Sequence, residues 1–207
     1  ELSRREGQLL QLSKDAELAQ LRQQLQPHFL FNSLNSIHAL VLASPQRARE
    51  MVLLLSDFLR GTLRSEGQSW ISLADEIKYL EMYFDIERVR FGHRLVVDLE
   101  GEEGVEGLKI PPLLVQPLVE NAIKYAIAPA EKGGKISVFS KLDGEHLVIE
   151  VKDTGAGIEG DHHSMVSGPG IGLKNTVDRL SAFYGDNYVF ELRGPNASGM
   201  TIYIRLP

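Results

Sequence analysis

The sequence contains no cysteine, which excludes disulfide bonds and thiolate metal sites. It also has no apolar run of about 18 residues, the length that a membrane-spanning helix needs. Positive charge is in deficit, because the formal net charge is −6 over 207 residues. That balance argues against direct nucleic acid binding, since surfaces that bind phosphate backbones are basic. We find no internal repeat and no low-complexity tract, and the length suits one large domain or two modest ones.

Residues 1–66 have the pattern of two helices. Leucines spaced three and four residues apart, as in a coiled-coil seam, predict a first helix over about 8–42. Pro45 follows a short break and is well placed to open the second helix. One helical hairpin cannot bury the apolar stripes of both helices, whereas two copies side by side form a four-helix bundle. We therefore expect a homodimer.

Residues 67–207 have the pattern of a second, α+β domain. The segment 67–69 is a predicted linker, and we place a hinge between the domains there. Ser72 is a candidate N-cap for a third helix. We expect a mixed or largely antiparallel sheet, covered by helices on one face. Strands are predicted over about 94–100, 135–142, 146–152, 188–192 and 200–206, and helices over about 72–91, 112–127 and 172–184.

Three clusters in the second half have uses in binding a nucleotide. Asn121, on a predicted helix, offers a neutral oxygen to a hard cation such as Mg²⁺. Lys124, one turn further along, could reach a phosphate. Asp153 follows a strand and can accept a hydrogen bond from the exocyclic amine of adenine. The glycines allow close backbone approach and lead into a helix N-terminus that favours phosphate; they are Gly155, Gly157, Gly168, Gly170 and Gly172.

The order and spacing of these clusters carry a resemblance. Residues 119–125, 153–157 and 168–173 resemble the N, G1 and G2 boxes of the Bergerat-fold ATPases, the superfamily of gyrase, Hsp90, MutL and the histidine kinases. Residues 26–35, Gln-Pro-His-Phe-Leu-Phe-Asn-Ser-Leu-Asn, resemble the phospho-acceptor motif of LytS/YehU-type sensor histidine kinases. Residues 116–124 are similar to the same group. A Rossmann site or a P-loop would need a different glycine pattern.

The resemblance implies a role for each residue in the clusters. Asn121 would bind Mg²⁺ and Asp153 would read the adenine of ATP, while the five glycines would shape the two nucleotide loops. Residues 158–167 would form a mobile lid over ATP. His28 would be the phospho-acceptor, because a neutral imidazole nitrogen is a competent nucleophile near pH 7.

Two further residues are candidates for catalytic roles. Asn32 lies four residues after His28 and hence on the same helix face, from which we expect it to support dephosphorylation of the partner protein. Glu120 is either a proton-handling group or a surface carboxylate. Phe29 stands where many histidine kinases have an acidic residue. Pro27 predicts a bend beside the acceptor histidine.

The function that the resemblance implies is autophosphorylation from ATP, followed by transfer to an aspartate of a response regulator. We expect the chain to be an excised fragment, because it begins with Glu1 rather than methionine. We expect that fragment to be soluble, because it has no apolar run long enough to cross a membrane. It would be the cytoplasmic part of a membrane protein whose upstream membrane sensor region is absent here. Two alternatives stay open. One is an ATP-gated dimerisation module like Hsp90 or MutL, although Pro117 stands where those proteins have a water-activating glutamate. The other is a nonenzymatic, nucleotide-binding signalling scaffold.

Overall fold

The computed structural model describes residues 27–64, 68–155, 171–196 and 199–207. The chain divides into two compact units, residues 1–55 and 56–207.

The described part of the first unit is helical. Helix α1 spans Pro27–Ala43, and helix α2 spans Pro45–Arg64 and continues into the second unit. Only Ser44 separates the helices, and its N–H donates to the Leu40 carbonyl at 2.7 Å. The predicted start of α2 at Pro45 is confirmed. The predicted beginning of the first helix, and the bend at Pro27 that involves the turn before it, lie outside the described residues.

Helix α3, Leu73–Phe91, begins the α+β part of the second unit. Its first turn is capped as predicted, because the Ser72 hydroxyl accepts a hydrogen bond from the Asp75 N–H at 3.1 Å. A short 3-10 turn, Gly92–Arg94, follows it. The sequence patterns did not predict the small antiparallel sheet formed by strands β1, Ile71–Ser72, and β3, Lys109–Ile110.

The main sheet has five strands in the order β2-β4-β5-β7-β6. Strand β2 pairs with β4 in parallel and the other neighbours are antiparallel, so the predicted mixed sheet is confirmed. The β4–β5 hairpin pairs Asp143 with His146 across the predicted turn. The bounds are Leu95–Gly101 for β2, Gly134–Asp143 for β4, His146–Asp153 for β5, Val189–Asn196 for β6 and Gly199–Leu206 for β7.

The remaining helices are α4, Gln116–Ala122, which continues into a π-helical turn at Ile123–Ile127, and α5, Ile171–Tyr184. The prediction that the former helix starts near residue 112 is wrong by about one turn. Leu113 has a φ of +55°, a left-handed conformation that helical backbone cannot adopt. Helix α5 ends as predicted, since Gly185 has a φ of +60° and its N–H donates to the Ser181 carbonyl at 2.9 Å.

The core lies between one face of the sheet and the helices. Alternate residues of the central strands are buried there, as the two-residue period of a strand requires. Full burial of each such side chain is worth about 1.5–3 kcal/mol. They include Ile136, Val138, Ile149, Val151, Ile202 and Ile204. The packing fixes the helix that carries Asn121 against the sheet.

The last turns of α2 belong to the second unit. The buried ring of Phe58 lies 6.2 Å from the ring of Tyr83 in α3, and Gly61 lies against Tyr79 and Met82. The second compact unit therefore begins at Ser56, about ten residues before 66/67. The domain boundary at 66/67 stays a prediction.

Candidate functional site

Asn121 lies in the last turn of α4, half-buried, just before the π-helical turn. Its Nδ2 atom is buried and has no hydrogen-bond partner among the described residues. The Ala128 N–H donates to the Ile123 carbonyl at 2.8 Å, the i→i+5 bond of a π-helix. Such turns are rare and frequently occur at functional sites. The amide of Asn121 is therefore available to a ligand. Rotation about its last side-chain torsion exchanges the amide oxygen and nitrogen, so either atom can face that ligand.

Glu120, beside Asn121, is only 9% exposed, so it is not a surface carboxylate. The Gln116 Nε2 donates to its Oε1 at 2.8 Å. On the neighbouring α3, burial and then the negative charges of Glu87 and Glu120 raise the pKa of Tyr83 well above its usual 10. Glu120 therefore belongs to a buried polar cluster between α3 and α4, which the sequence did not reveal.

Lys124 and Tyr125 lie in the π-helical turn and are both exposed. The Lys124 ammonium is 4.8 Å from the centre of the Tyr125 ring, a cation–π arrangement that restrains the long side chain. An exposed ammonium one turn beyond Asn121 can pair with an anionic ligand.

Asp153 ends β5 and is half-buried. Its Oδ1 accepts hydrogen bonds from the N–H groups of Gly155, at 2.9 Å, and Met200, at 3.4 Å. Burial raises the pKa of the carboxyl group, and the two N–H donors partly oppose that rise. Both of these bonds end on Oδ1, and no hydrogen bond from a described residue to Oδ2 accompanies them, so Oδ2 can accept one from a ligand's amine.

Thr154 and Gly155 follow Asp153 and contact both strand β4 and the helical segment that carries Asn121. The Thr154 hydroxyl accepts a hydrogen bond from the Lys135 N–H at 2.8 Å, and its own N–H donates to the Lys135 carbonyl at 3.1 Å. A Cβ atom on Gly155 would lie only 2.5 Å from the Cβ of Ala126. The structure therefore places the segment after Asp153 directly against the helical segment that carries Asn121.

The remaining predicted site residues fall into two groups. Gly172 has helical backbone in the first turn of α5, which packs against α4. Gly157, Gly168, Gly170 and the predicted lid at 158–167 lie outside the described residues. His28 and Asn32 lie in α1, in the first unit, where Asn32 is half-buried.

Sequence reasoning missed two charged residues, Glu76 and Arg94, that contact the ends of the helix carrying Asn121. An acidic residue in the first turn of a helix is ordinary, so Glu76 was not distinctive. One indirect indication was available: the N-cap position of α4 is the apolar Val115, which gives the helix no side-chain cap of its own.

A magnesium ion fits the single amide donor that Asn121 offers. Among the residues that the structure describes, no group of three His, Cys, Asp or Glu side chains could hold a metal ion. Mg²⁺ commonly takes few protein ligands and keeps water and substrate phosphate oxygens in the rest of its shell. A single amide oxygen from Asn121 suits an ion that arrives with a nucleotide.

The chain matches two family models. Residues 16–95 match the family described as histidine kinase, and residues 112–207 match the histidine kinase-, DNA gyrase B- and HSP90-like ATPases. No helix in the described ranges is long and apolar enough to cross a membrane.

Named relatives have similar sequences. The sensor protein LytS of Staphylococcus haemolyticus is 34% identical over 204 residues, and that of Enterococcus faecalis is 32% identical over 204. The sensor histidine kinase/phosphatase LytS of Staphylococcus aureus is 36% identical over 205 residues. Each alignment covers 95% of this chain and 35% of the relative, so the chain spans about a third of the length of these curated relatives.

Solved structures share the fold. The catalytic domain of histidine kinase ThkA has a TM-score of 0.53 at 16% identity, over 67% of this chain and 93% of that one. The histidine kinase domain of a blue-light activated kinase from Erythrobacter litoralis also has a TM-score of 0.53, at 17% identity, over 93% and 94% of the two chains. The motif around His28, the two family models and the LytS relatives agree, and the chain belongs to the histidine kinase family.

Proposed function

We propose that the chain is the kinase core of a two-component sensor, which phosphorylates His28 from ATP and passes the phosphoryl group to an aspartate of a response regulator. The observation that carries the proposal is the arrangement around Asp153. Its carboxylate is fixed through one oxygen, and the next residues approach the helix of Asn121 within van der Waals contact. Such a site can hold an adenine at one end and a metal-bound phosphate at the other.

Each residue of the nucleotide site has a proposed role. The Oδ2 atom of Asp153 accepts a hydrogen bond from the adenine amine, and Gly155 keeps the wall of the site flat. Asn121 supplies the protein ligand for magnesium, and Lys124 pairs with a phosphate. Gly157, Gly168, Gly170 and Gly172 shape the phosphate loops. Magnesium, when bound, neutralises charge on the phosphates.

The phosphoryl transfer needs a neutral ring at His28. One imidazole nitrogen forms a bond to the γ-phosphorus while the bond from that phosphorus to the β–γ bridging oxygen breaks, and ADP leaves. The other ring nitrogen then carries a proton that must be lost. Glu120 is a proposed acceptor for that proton, because it is held by Gln116 in a buried position next to Asn121. The predicted domains, 1–66 and 67–207, would bring the groups together by moving about the predicted hinge at 67–69, which requires the contact between Phe58 and Tyr83 to open.

Asn32 has a proposed role in the dephosphorylation of the response regulator. It lies on the same face of α1 as His28, four residues later, and an amide there can orient a water molecule toward a phosphorylated aspartate. The name kinase/phosphatase that the Staphylococcus aureus relative carries supports this role. Replacement of Asn32 by alanine should leave labelling of His28 intact and slow the dephosphorylation of the response regulator.

The proposed assembly is a homodimer downstream of a membrane sensor. Large apolar side chains are exposed on the hairpin, among them Phe31 at 67% and Leu42 at 93%, and a second copy would cover them in a four-helix bundle. The sensor proteins that the chain resembles are about three times longer. The proposed place of this chain is therefore the cytoplasmic end of a membrane protein.

Labelled ATP tests the proposal. The chain is incubated with γ-labelled ATP and Mg²⁺, and we expect acid-labile, base-stable label that is lost in His28→Gln. His38→Gln is the matched control, because His38 is exposed on the same helix; it should retain the label. Release of free phosphate without protein label would indicate an ATPase of the dimerisation type. Nucleotide binding with neither product would indicate a scaffold.

A further inference from the structure

The helical segment 116–127, formed by α4 and its π-helical turn, is held at its start by a buried carboxylate. Glu76, in the first turn of α3, has no exposed surface. Its Oε1 accepts hydrogen bonds from the N–H groups of Val115, at 2.8 Å, and Gln116, at 3.3 Å. Its Oε2 accepts one from Leu113 at 2.9 Å. Three donors that precede or begin the helix therefore converge on one side chain.

These contacts replace a cap that the helix lacks. The first N–H groups of a helix have no partner within it, and Val115, at the N-cap position of α4, offers no side-chain acceptor. Negative charge at this end also favours the helix dipole. Leu113 has a left-handed φ of +55°, which is unfavourable for a residue with a side chain. The hydrogen bond from its N–H to Glu76 offsets part of that cost. The carboxylate thus fixes where the helix begins.

A guanidinium group holds the other end of the same segment. Arg94, in the 3-10 turn after α3, donates through Nη2 to the carbonyls of Ile127, at 3.5 Å, Ala128, at 3.4 Å, and Ala130, at 2.6 Å. Its guanidinium lies 5.6 Å from the centre of the Phe91 ring. Positive charge complements the carbonyl end of a helix just as negative charge complements the N–H end.

A third charge extends the arrangement to α5. Arg179 donates through Nη1 to the carbonyl of Pro112, in the loop that Glu76 holds. Its positive charge also acts on Glu76 and partly opposes the rise in the pKa of Glu76 that burial causes. The helix that carries Gly172 is therefore tied to the start of the helix that carries Asn121.

We propose that Glu76 and Arg94 are positioning residues for Asn121, which set the axial position and rotation of its helix so that the amide meets a nucleotide-bound magnesium ion. Neither residue needs to touch the ligand. Asn121 lies between the two clamped ends, and both clamps extend from α3 and the turn after it. The inference rests on the proposed nucleotide site and adds residues to it that no box motif contains.

The test separates magnesium use from nucleotide binding. Glu76→Gln keeps the shape of the side chain but replaces one acceptor by a donor, and Arg94→Lys keeps the charge but loses the planar fork. Both are made in the full chain, in a His28→Gln background so that no transfer disturbs the titration. ATP affinity is measured by calorimetry in excess EDTA, and Mg²⁺ is then titrated at fixed ATP. Urea unfolding confirms that each variant is folded.

We expect the half-saturating Mg²⁺ concentration to rise roughly tenfold or more in both variants, the usual cost of losing a supporting contact behind a metal ligand. ATP affinity in EDTA should change less than about threefold. The matched controls are Glu81→Gln, exposed on α3, and Arg88→Lys, in an exposed ion pair on the same helix. They should match the parent in both titrations.

Two outcomes would overturn the inference. One is an Mg²⁺ requirement equal to that of the controls. The other is an equal loss of ATP affinity with and without Mg²⁺, which would indicate a general structural role. If Glu76→Gln does not fold, Arg94→Lys and Glu76→Asp decide the question by the same criteria. A wild-type chain that binds ATP with Mg²⁺ but never labels His28 would contradict the kinase proposal alone.

Discussion

Gly155 lies so close to Ala126 that a methyl group on Gly155 would come within 2.5 Å of the Ala126 Cβ and 2.8 Å of its Cα. Real Cβ atoms do not approach one another to this distance, and the second clash is with backbone that cannot rotate away. The strand end that carries Asp153 and the helix that carries Asn121 can therefore lie this close only because residue 155 has no side chain.

Gly155→Ala should weaken ATP binding while the protein stays folded. The added methyl group must push the segment after Asp153 away from the helix, which separates the two halves of the site; we expect a loss of roughly tenfold or more in affinity, since a small displacement in a site can cost that much. Gly107→Ala is the control, because a Cβ there meets nothing within 4 Å. Equal affinities in the two variants, measured by calorimetry, would contradict the prediction.

Asp153→Asn should reverse the preference for the base. The N–H groups of Gly155 and Met200 both bond to Oδ1, so an asparagine keeps its amide oxygen there and turns its NH₂ group toward the adenine amine. Two donors then face each other, which costs roughly 1–3 kcal/mol, about 5- to 160-fold in affinity. Inosine triphosphate, which has a carbonyl in place of the amine, should bind the variant better than ATP does. A variant that still prefers ATP would contradict the assignment of Asp153 as the acceptor for the adenine amine.

The local features of this fold could be predicted from the sequence because neighbouring residues determine them. The Ser72 cap, the break before Pro45 and the stop at Gly185 depend on contacts within one turn. The order of the boxes likewise indicated which residues would form the site. That assignment of site residues stays a prediction; the structure shows that Gly155, two residues after Asp153, lies against Ala126 in the helical segment of Asn121.

The rest depends on contacts between residues far apart in sequence. Glu76 holds backbone 37 to 40 residues away, and nothing near it distinguishes it from other first-turn acids. The helix α4 starts at Gln116 rather than near 112, because Leu113 has a left-handed φ and donates its N–H to Glu76, a contact 37 residues away in sequence. Burial of Glu120 and the packing of Phe58 on Tyr83 are of the same kind.

Phe58→Ala tests where the second unit begins. If the last turns of α2 are part of its core, removal of the buried ring should lower the free energy of unfolding of that unit by about 3 kcal/mol or more. Trp70, the one tryptophan of the chain, lies in the second unit with its ring 5.0 Å from that of Phe183, so its fluorescence follows urea unfolding there.

The control for that experiment is Leu53→Ala, because Leu53 is exposed on α2 within the first unit. It should leave the Trp70 transition unchanged. If Phe58→Ala also leaves the transition unchanged, the end of α2 does not unfold cooperatively with the second unit, which would favour the predicted boundary at 66/67.

Glu87 should make the second unit less stable as the pH rises. Burial raises the pKa of this carboxyl from 4.5 to about 7, and the nearby Arg90 only partly lowers it. The folded state then binds the proton more tightly than the unfolded state, so the stabilisation is complete below pH 4.5 and is lost as the pH rises through 7. The integrated effect is roughly 3 kcal/mol. Tyr83, beside it, stays protonated over this range because its pKa is raised well above 10.

Glu87→Gln removes that titration, so the difference in unfolding free energy between the wild type and this variant should fall by about 3 kcal/mol between pH 4.5 and pH 8. Asp85→Asn is the matched control, since Asp85 pairs with Arg88 at the same i,i+3 spacing but on the exposed side of α3. Because Asp85→Asn leaves Glu87 in place, that control should retain the loss of stability with rising pH that Glu87 causes. Urea unfolding at five pH values measures the unfolding free energy of the wild type and both variants. Parallel curves for the wild type and Glu87→Gln would mean that the pKa of Glu87 is the same in the folded and unfolded states, and that Arg90 fully offsets the effect of burial.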